Sequence, residues 1–140
     1  MTNAVRLAAR LLLAYLFVRS GLEVLRKPEP RVASASWLLD RVHDLVPFLP
    51  ADNRLLVRAN AALQVGAGGL LALGQQAQLD ALLLAASLVP TTLGGHPFWR
   101  HDDPASRSHH RVHFDKNLAI LGGLLAVALD TSDRRRRAWR

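Results

Sequence analysis

The sequence predicts an all-α fold: an integral membrane, antiparallel four-helix bundle, with an extra interfacial amphipathic helix between helices one and two. Three observations predict it. Half of the 140 residues are hydrophobic and fall in four blocks, while most of the 18 Lys+Arg and 11 Asp+Glu lie between the blocks. A water-soluble bundle instead spreads charge along one face of every helix. Inside the blocks charge is nearly absent: 79–93 holds only Asp80, and 118–129 holds none. The segregation also explains why the mean hydropathy is only +0.11 in so apolar a chain. The length amounts to one domain, expected over 1–130, with 131–140 as a basic tail.

The first block is expected to be helical over about 3–25. Arg6 and Arg10 precede a strongly apolar stretch at 11–18, which looks like the start of a signal peptide. Arg19-Ser20-Gly21 follows where a small-x-small cleavage site would stand, and three more apolar blocks come after it. A retained spanning helix is therefore expected, since a crossing takes roughly 20 residues. Arg19 and Glu23 are four apart, share a face near one end and are expected to pair at the interface. Pro28 and Pro30 end this helix, because proline lacks the N–H that would continue it.

A shorter amphipathic helix is expected at about 34–46. Trp37, Leu38, Val42, Leu45 and Val46 fall near one face, with Asp40, Arg41 and Asp44 elsewhere. It is too short and too charged to span, so it lies in the interface and caps the bundle. His43 is read as an exposed side chain, and Pro47 and Pro50 close the segment.

The second spanning helix is expected at 53–73, with Asp52 or Asn53 as its cap. Asn60 and Gln64 share a face, and polar side chains in a spanning helix turn toward other helices rather than lipid. They are candidates for bonds between helices or for contact with a ligand head group. Gly66, Gly68 and Gly69 do not form a nucleotide loop, because no strand precedes them. Ala62 with Gly66 is a small-xxx-small pair that permits close packing. The short polar turn at 74–78 makes the second and third spans antiparallel neighbours. The third span, 78–93, repeats the small-residue face at Ala81 and Ala85. Pro90 withholds a donor from the Ala86 carbonyl and predicts a kink.

Asp103-Pro104 is a helix start, with Asp as cap and Pro in the first turn. The helix is expected to run 104–129. Its first half is polar and its second half apolar, with Ala119 and Gly123 as a further close-packing pair. An uncharged run of about a dozen residues does not cross a bilayer alone. Asp115, Lys116 and Asn117 are therefore expected near the membrane boundary or inside the bundle. The tail carries Arg134 to Arg137 and Arg140, a cluster suited to anionic lipid. Four spans place both termini on one side, and the bare basic tail assigns that side to the cytoplasm.

Composition removes several function classes. There are no cysteines, which excludes a disulfide, a thiolate metal site and a thiol relay within the chain. The net charge of +7 is not a nucleic-acid signature, because the basic residues form no single stripe and aromatics are only 6%. Arginines flanking apolar helices account for the charge.

The chemistry lies between Thr92 and Gly123, where five of the six histidines fall between His96 and His113. His96, Trp99, Arg107, His113, Phe114, Lys116 and Asn117 form the candidate ligand or partner site, and none is assigned a catalytic role. A metal reading rests on His109 and His113, four apart and able to share one ion, with His96 or His101 as a third ligand. Against it, no Glu stands in the HExxH position, and Arg107 and Arg111 repel a cation, so no metal is expected. A second reading is a lipid-soluble quinone such as menaquinone. Donors would lie beside aromatic rings, with His113 and Asn117 on one helical face and His96 ending the helix next door. Histidine also moves protons near neutral pH. In a third reading the block caps the bundle, with Trp99 at the interface, and leaves a surface for a partner protein.

Four motifs carry a family resemblance over nearly the whole chain. They are Gly21 followed by LRKP at 25–28, LLVRANAALQVGAGGLLALG at 55–74, LVPTTLGGHPFW at 88–99 and HFDKNLAILGGLL at 113–125. In these the chain resembles the DoxX family of small four-helix bacterial membrane proteins, in its actinobacterial form. Members often carry an Asp-Lys pair shortly after the helix-one glycine, where this chain has Glu23-Val24. The resemblance implies a multi-pass protein of the bacterial inner membrane. It also implies links to respiratory oxidoreductase subunits and to a membrane complex with a superoxide dismutase and a sulfurtransferase. The function expected from it is a scaffold or accessory subunit of a membrane-associated redox or oxidative-stress complex, more than a stand-alone enzyme. The alternative is a quinone-binding subunit of a membrane oxidoreductase. The partners expected are the lipid bilayer, redox-enzyme proteins and a second copy of the chain, with no nucleic acid.

Overall fold

The computed structural model describes residues 3–130, and among them all regular secondary structure is helical. In chain order the elements are α1 (Asn3–Arg26), α2 (Glu29–Leu45), α3 (Asn53–Leu73), α4 (Ala77–Gly95), a short 3-10 turn (Phe98–Arg100) and α5 (Pro104–Leu129). The basic tail at 131–140 lies outside the described residues.

The predicted helix signals operate as local chemistry. The Asp52 carboxylate accepts from the Arg54 N–H at 2.8 Å and starts α3. The Asp103 carboxylate accepts from the Ser106 N–H at 2.9 Å and starts α5, with Pro104 in the first turn. These bonds satisfy donors that have no partner within the helix. Gly74 closes α3 in the left-handed conformation, at φ 73°, and donates its N–H to the Leu70 carbonyl. That conformation suits glycine. It turns the chain within residues 74–76, so α4 returns alongside α3.

α1 lies against α3, α3 against α4 and α4 against α5, while α2 packs on α3 and α4. The core is Phe17 of α1, Ala67 and Leu71 of α3, Ala81, Leu84, Ala85 and Leu88 of α4, and Leu124 of α5. Leu71, Leu84 and Leu124 are wholly inaccessible. α1 and α3 approach most closely at Gly21, where a methyl group would lie 2.7 Å from Val65 Cγ2 and 2.8 Å from the Ala61 carbonyl oxygen. Lower down, Gly68 of α3 faces Val18, Phe17 and the Ala14 carbonyl.

Several sequence expectations need correction. α2 starts at Glu29, not near 34, because Pro28 stands at its N-cap and Pro30 in its first turn. Proline is compatible with those positions, whose N–H groups lack helical partners in any case. Its inward face is Arg31, Ala35, Leu38, Leu39 and Val42, while Leu45 is turned out and 81% exposed. α4 continues through Pro90 to Gly95, two residues further than expected. Ala62 and Gly66 face outward, and nothing lies near Gly66. The close packing of α3 uses Ala61 and Gly68 instead. His43 is half-buried and its Nε2 lies 2.8 Å from the Pro50 carbonyl, tying down the α2–α3 loop. Arg19 and Glu23 are both exposed, and among the described residues no ion pair joins them. Glu23 acts on Arg31 of α2 instead.

Three helices are long and apolar enough to cross a membrane: α3, α4 continued to Arg100, and α5. α1 has the length, at 24 residues, but Arg10, Arg19 and Glu23 interrupt its apolar run. Only 11% of the apolar window of α5 is buried within the protein. Its outer face therefore needs lipid or another protein to cover it.

Candidate functional site

The chain brings three groups of side chains and a cavity together at one end, where α1 and α4 finish and α3 and α5 begin. α2 lies over this end, and its first turn is tied to α3 by an Arg54–Glu29 ion pair at 2.8 Å.

The imidazoles come first. His96 follows the last residue of α4, and its ring stacks on His113 of α5 with centroids 4.9 Å apart and planes 13° apart. His96 also lies 5.6 Å from His110. His110 stacks on His101 at 4.1 Å, and His109 meets His113 at 4.6 Å. Five rings thus form one continuous array, built from α4, the connection after it and α5. The Nδ1 atom of His96 is buried without a hydrogen-bond partner, whereas His110 faces the Gly95 backbone. Lys116 Nζ lies 3.2 Å from His113 Nδ1. Arg107 donates from Nε to the His101 carbonyl and pins the connection. Among the described residues, no group of three or more His, Cys, Asp or Glu side chains is placed to hold a metal ion.

The second group is aromatic. Trp99 meets Trp37 of α2, Phe98 and Phe114 of α5 edge to face, at centroid separations of 6.4, 5.2 and 5.9 Å. Arg100 lies over the Trp37 ring at 4.6 Å. Edge-to-face geometry suits the ring quadrupoles, and the cluster fixes Trp99 while leaving it 46% exposed.

The third group is a buried amide and hydroxyl network. Asn60 donates to Thr91 Oγ1 at 3.0 Å, and Gln64 donates to Ser87 Oγ at 2.9 Å and to Thr91 Oγ1 at 3.2 Å. Asn117 donates to Thr92 Oγ1 at 3.0 Å. The pair expected to join helices on α3 does so toward α4, and Asn117 joins α5 to the same helix.

The fourth feature is a cavity of about 300 Å³ between α1, α2, α3 and α4. Its walls are mainly apolar, with Asn60, Gln64 and Thr91 on one side and Arg31 and Gly95 at the rim. One guanidinium nitrogen of Arg31 points at Gly95, where a methyl group would be 2.5 Å from it. Burial pulls the Arg31 guanidinium below its ordinary value, and Glu23 opposes that shift. A second cavity, of about 830 Å³, opens at the other end between α1, the 74–79 turn and α5. There Arg6 pairs with Asp130 at 2.9 Å.

Of the residues expected at the site, His96 and His113 touch, Trp99 and Phe114 touch, and Lys116 and Arg107 brace the imidazoles. Asn117 is engaged with Thr92. Sequence reading weighed His101 only as a possible third metal ligand, and missed Arg31, His110 and Trp37 as parts of this end. His101 and His110 carried a signal in the density of histidines. Arg31 carried none, because it stood in what read as a proline-broken loop.

The family model for DoxX matches residues 5–97. The chain belongs to the DoxX family. No curated protein and no solved structure matches it. The matched DoxX segment takes in α1 to α4 and His96, whereas Trp99 and α5 lie beyond it. DoxX membership and three membrane-length apolar helices together make this a membrane protein.

Proposed function

We propose that this DoxX protein is a non-catalytic accessory subunit of the bacterial inner membrane, which docks a redox or oxidative-stress enzyme through its imidazole and aromatic end. The observation that carries this reading is Trp99, held by three other rings yet nearly half exposed. Rigid, partly exposed tryptophans are frequent anchors of protein interfaces. The exposed Arg111, 5.5 Å over the neighbouring Phe98 ring, adds a polar group beside it.

In this reading α1 also crosses the bilayer, giving four spans, with α2 in the interface and both termini in the cytoplasm. Support comes from its packing. Arg10 reaches Gly74 at the far end of α3, while Gly21 meets Ala61 and Val65 near the middle of α3, with the last turn of α1 still to follow. At 1.5 Å per residue, a helix of this length extends about 36 Å, enough to cross.

The test is purification of the tagged protein from its host in mild detergent. A stoichiometric redox protein is expected to co-purify, and Trp99→Ala is expected to weaken that complex at least tenfold, about 1.4 kcal/mol. Recovery of the protein alone would count against docking.

A second reading, a quinone site at His96, Trp99, His113 and Asn117, is supported by the buried, unpartnered Nδ1 of His96. Extraction of the purified protein should then yield quinone, and added menaquinone should bind. Failure of both ends that reading and leaves docking untouched.

A further inference from the structure

We propose that the cavity between α1, α2, α3 and α4 binds a small amphipathic carboxylate, with its acid group on Arg31 and its hydrocarbon chain among Leu38, Leu39, Val42 and Val57. This site adjoins the imidazole end, where the charge of Arg31 is felt by His96, but its lining does not include Trp99, and it does not depend on the docking reading.

Three observations carry it. The first is the state of Arg31. Its guanidinium lies against the Gly95 backbone at the cavity rim. Among the described residues no hydrogen bond or ion pair within 4 Å is formed by it, and Glu23 influences it only from a distance. A guanidinium has five N–H donors in a planar fork that matches a carboxylate. A half-buried guanidinium without such a partner gains when an anion arrives, because desolvation has already been incurred.

The second is the lining. Apart from Arg31, the polar side chains are Ser20, Asn60, Gln64 and Thr91, and the last three already bond to one another or to Ser87. The remaining wall is aliphatic, so the part of the ligand beyond its acid group is hydrocarbon.

The third is size. About 300 Å³ is at the small end of ligand pockets. It suits one short hydrocarbon chain. Gly95 is what lets Arg31 reach the rim. A methyl there would collide with the guanidinium.

The test uses the full-length protein in nanodiscs of zwitterionic lipid, with decanoate as probe and decanol as control. Both partition into lipid, and only decanoate carries the anion. Decanoate is expected to raise the unfolding temperature by several degrees, with decanol giving no more than a lipid-only shift. Arg31→Gln should weaken decanoate at least tenfold and Arg31→Lys less. Glu23→Gln should tighten it, by removing the competing charge. Leu39→Trp fills the cavity without touching Arg31 and should abolish the shift, which keeps the test decisive if Arg31→Gln fails to fold. Equal shifts from decanoate and decanol would overturn the proposal, as would a decanoate shift retained in Leu39→Trp. A larger effect from decyl phosphate than from decanoate would reassign the site to a phosphate head group and overturn the carboxylate assignment. A Trp99→Ala variant should bind decanoate normally, so loss of partner docking and loss of this site are read separately.

Discussion

Gln64 and Gly21 illustrate how much single residues decide here. The buried Gln64 amide joins α3 to α4 through Ser87 and Thr91. Gln64→Leu is expected to cost about 1–2 kcal/mol, the scale of a hydrogen bond between membrane helices, measured by unfolding in detergent. Gly21→Ala forces a methyl group onto a backbone carbonyl that no rotamer change relieves. It is expected to cost about 1–3 kcal/mol, as overpacking does. Gly66→Ala, in open space on the same bundle, should change stability by less than about 0.5 kcal/mol. A reversed order of those two glycines would show that α1 and α3 do not meet as described. The sequence placed Asn60 and Gln64 on a joining face correctly, because their spacing of four is a local property. It could not tell Gly66 from Gly68, since which side of a glycine-rich helix meets a neighbour depends on the partner.

At the scale of elements, capping was legible and the start of α2 was not. Asp52 and Asp103 act where expected, and Gly74, expected only to open the polar turn, closes α3, because a cap is a contact between residues two to four apart. Pro28 and Pro30 read as breakers, yet proline serves equally well at a helix start. Reading them as a stop hid Arg31, and with it the rim of the cavity. The Asp103 cap has a pH signature. Hydrogen bonds from the Ser106 N–H, and then its hydroxyl, hold the Asp103 carboxyl below its ordinary value. Its contribution is therefore present above the ordinary carboxylate range and is lost as pH falls through the lowered value. The stability difference between the wild type and Asp103→Ala should be constant near neutrality and shrink in acid. A difference that grows in acid would contradict the cap. The array of five imidazoles was only half legible. Histidine density marked the region, but stacking His101 on His110 needs the 3-10 turn, which no periodicity announces.

For the whole molecule, the number of crossings is the quantity to measure. Reporter fusions at the two termini should give the same sidedness if α1 spans together with α3, α4 and α5. Opposite sidedness would mean three crossings, with α1 lying against α3 without traversing the bilayer. Sequence hydropathy marked four blocks, but the charges at Arg10, Arg19 and Glu23 leave only three that pass on length and composition. What argues for the fourth is packing, which hydropathy does not report.

The array His96–His101–His109–His110–His113 sits at one end of the bundle, and His43 of α2 holds the loop that enters the same end. No histidine stands near the 74–76 turn or the start of α1. Imidazole chemistry in this protein is therefore polarised. In sealed vesicles a membrane-impermeant histidine reagent will modify the chain in one orientation and spare it in the other, giving a label of sidedness already written into the native chain.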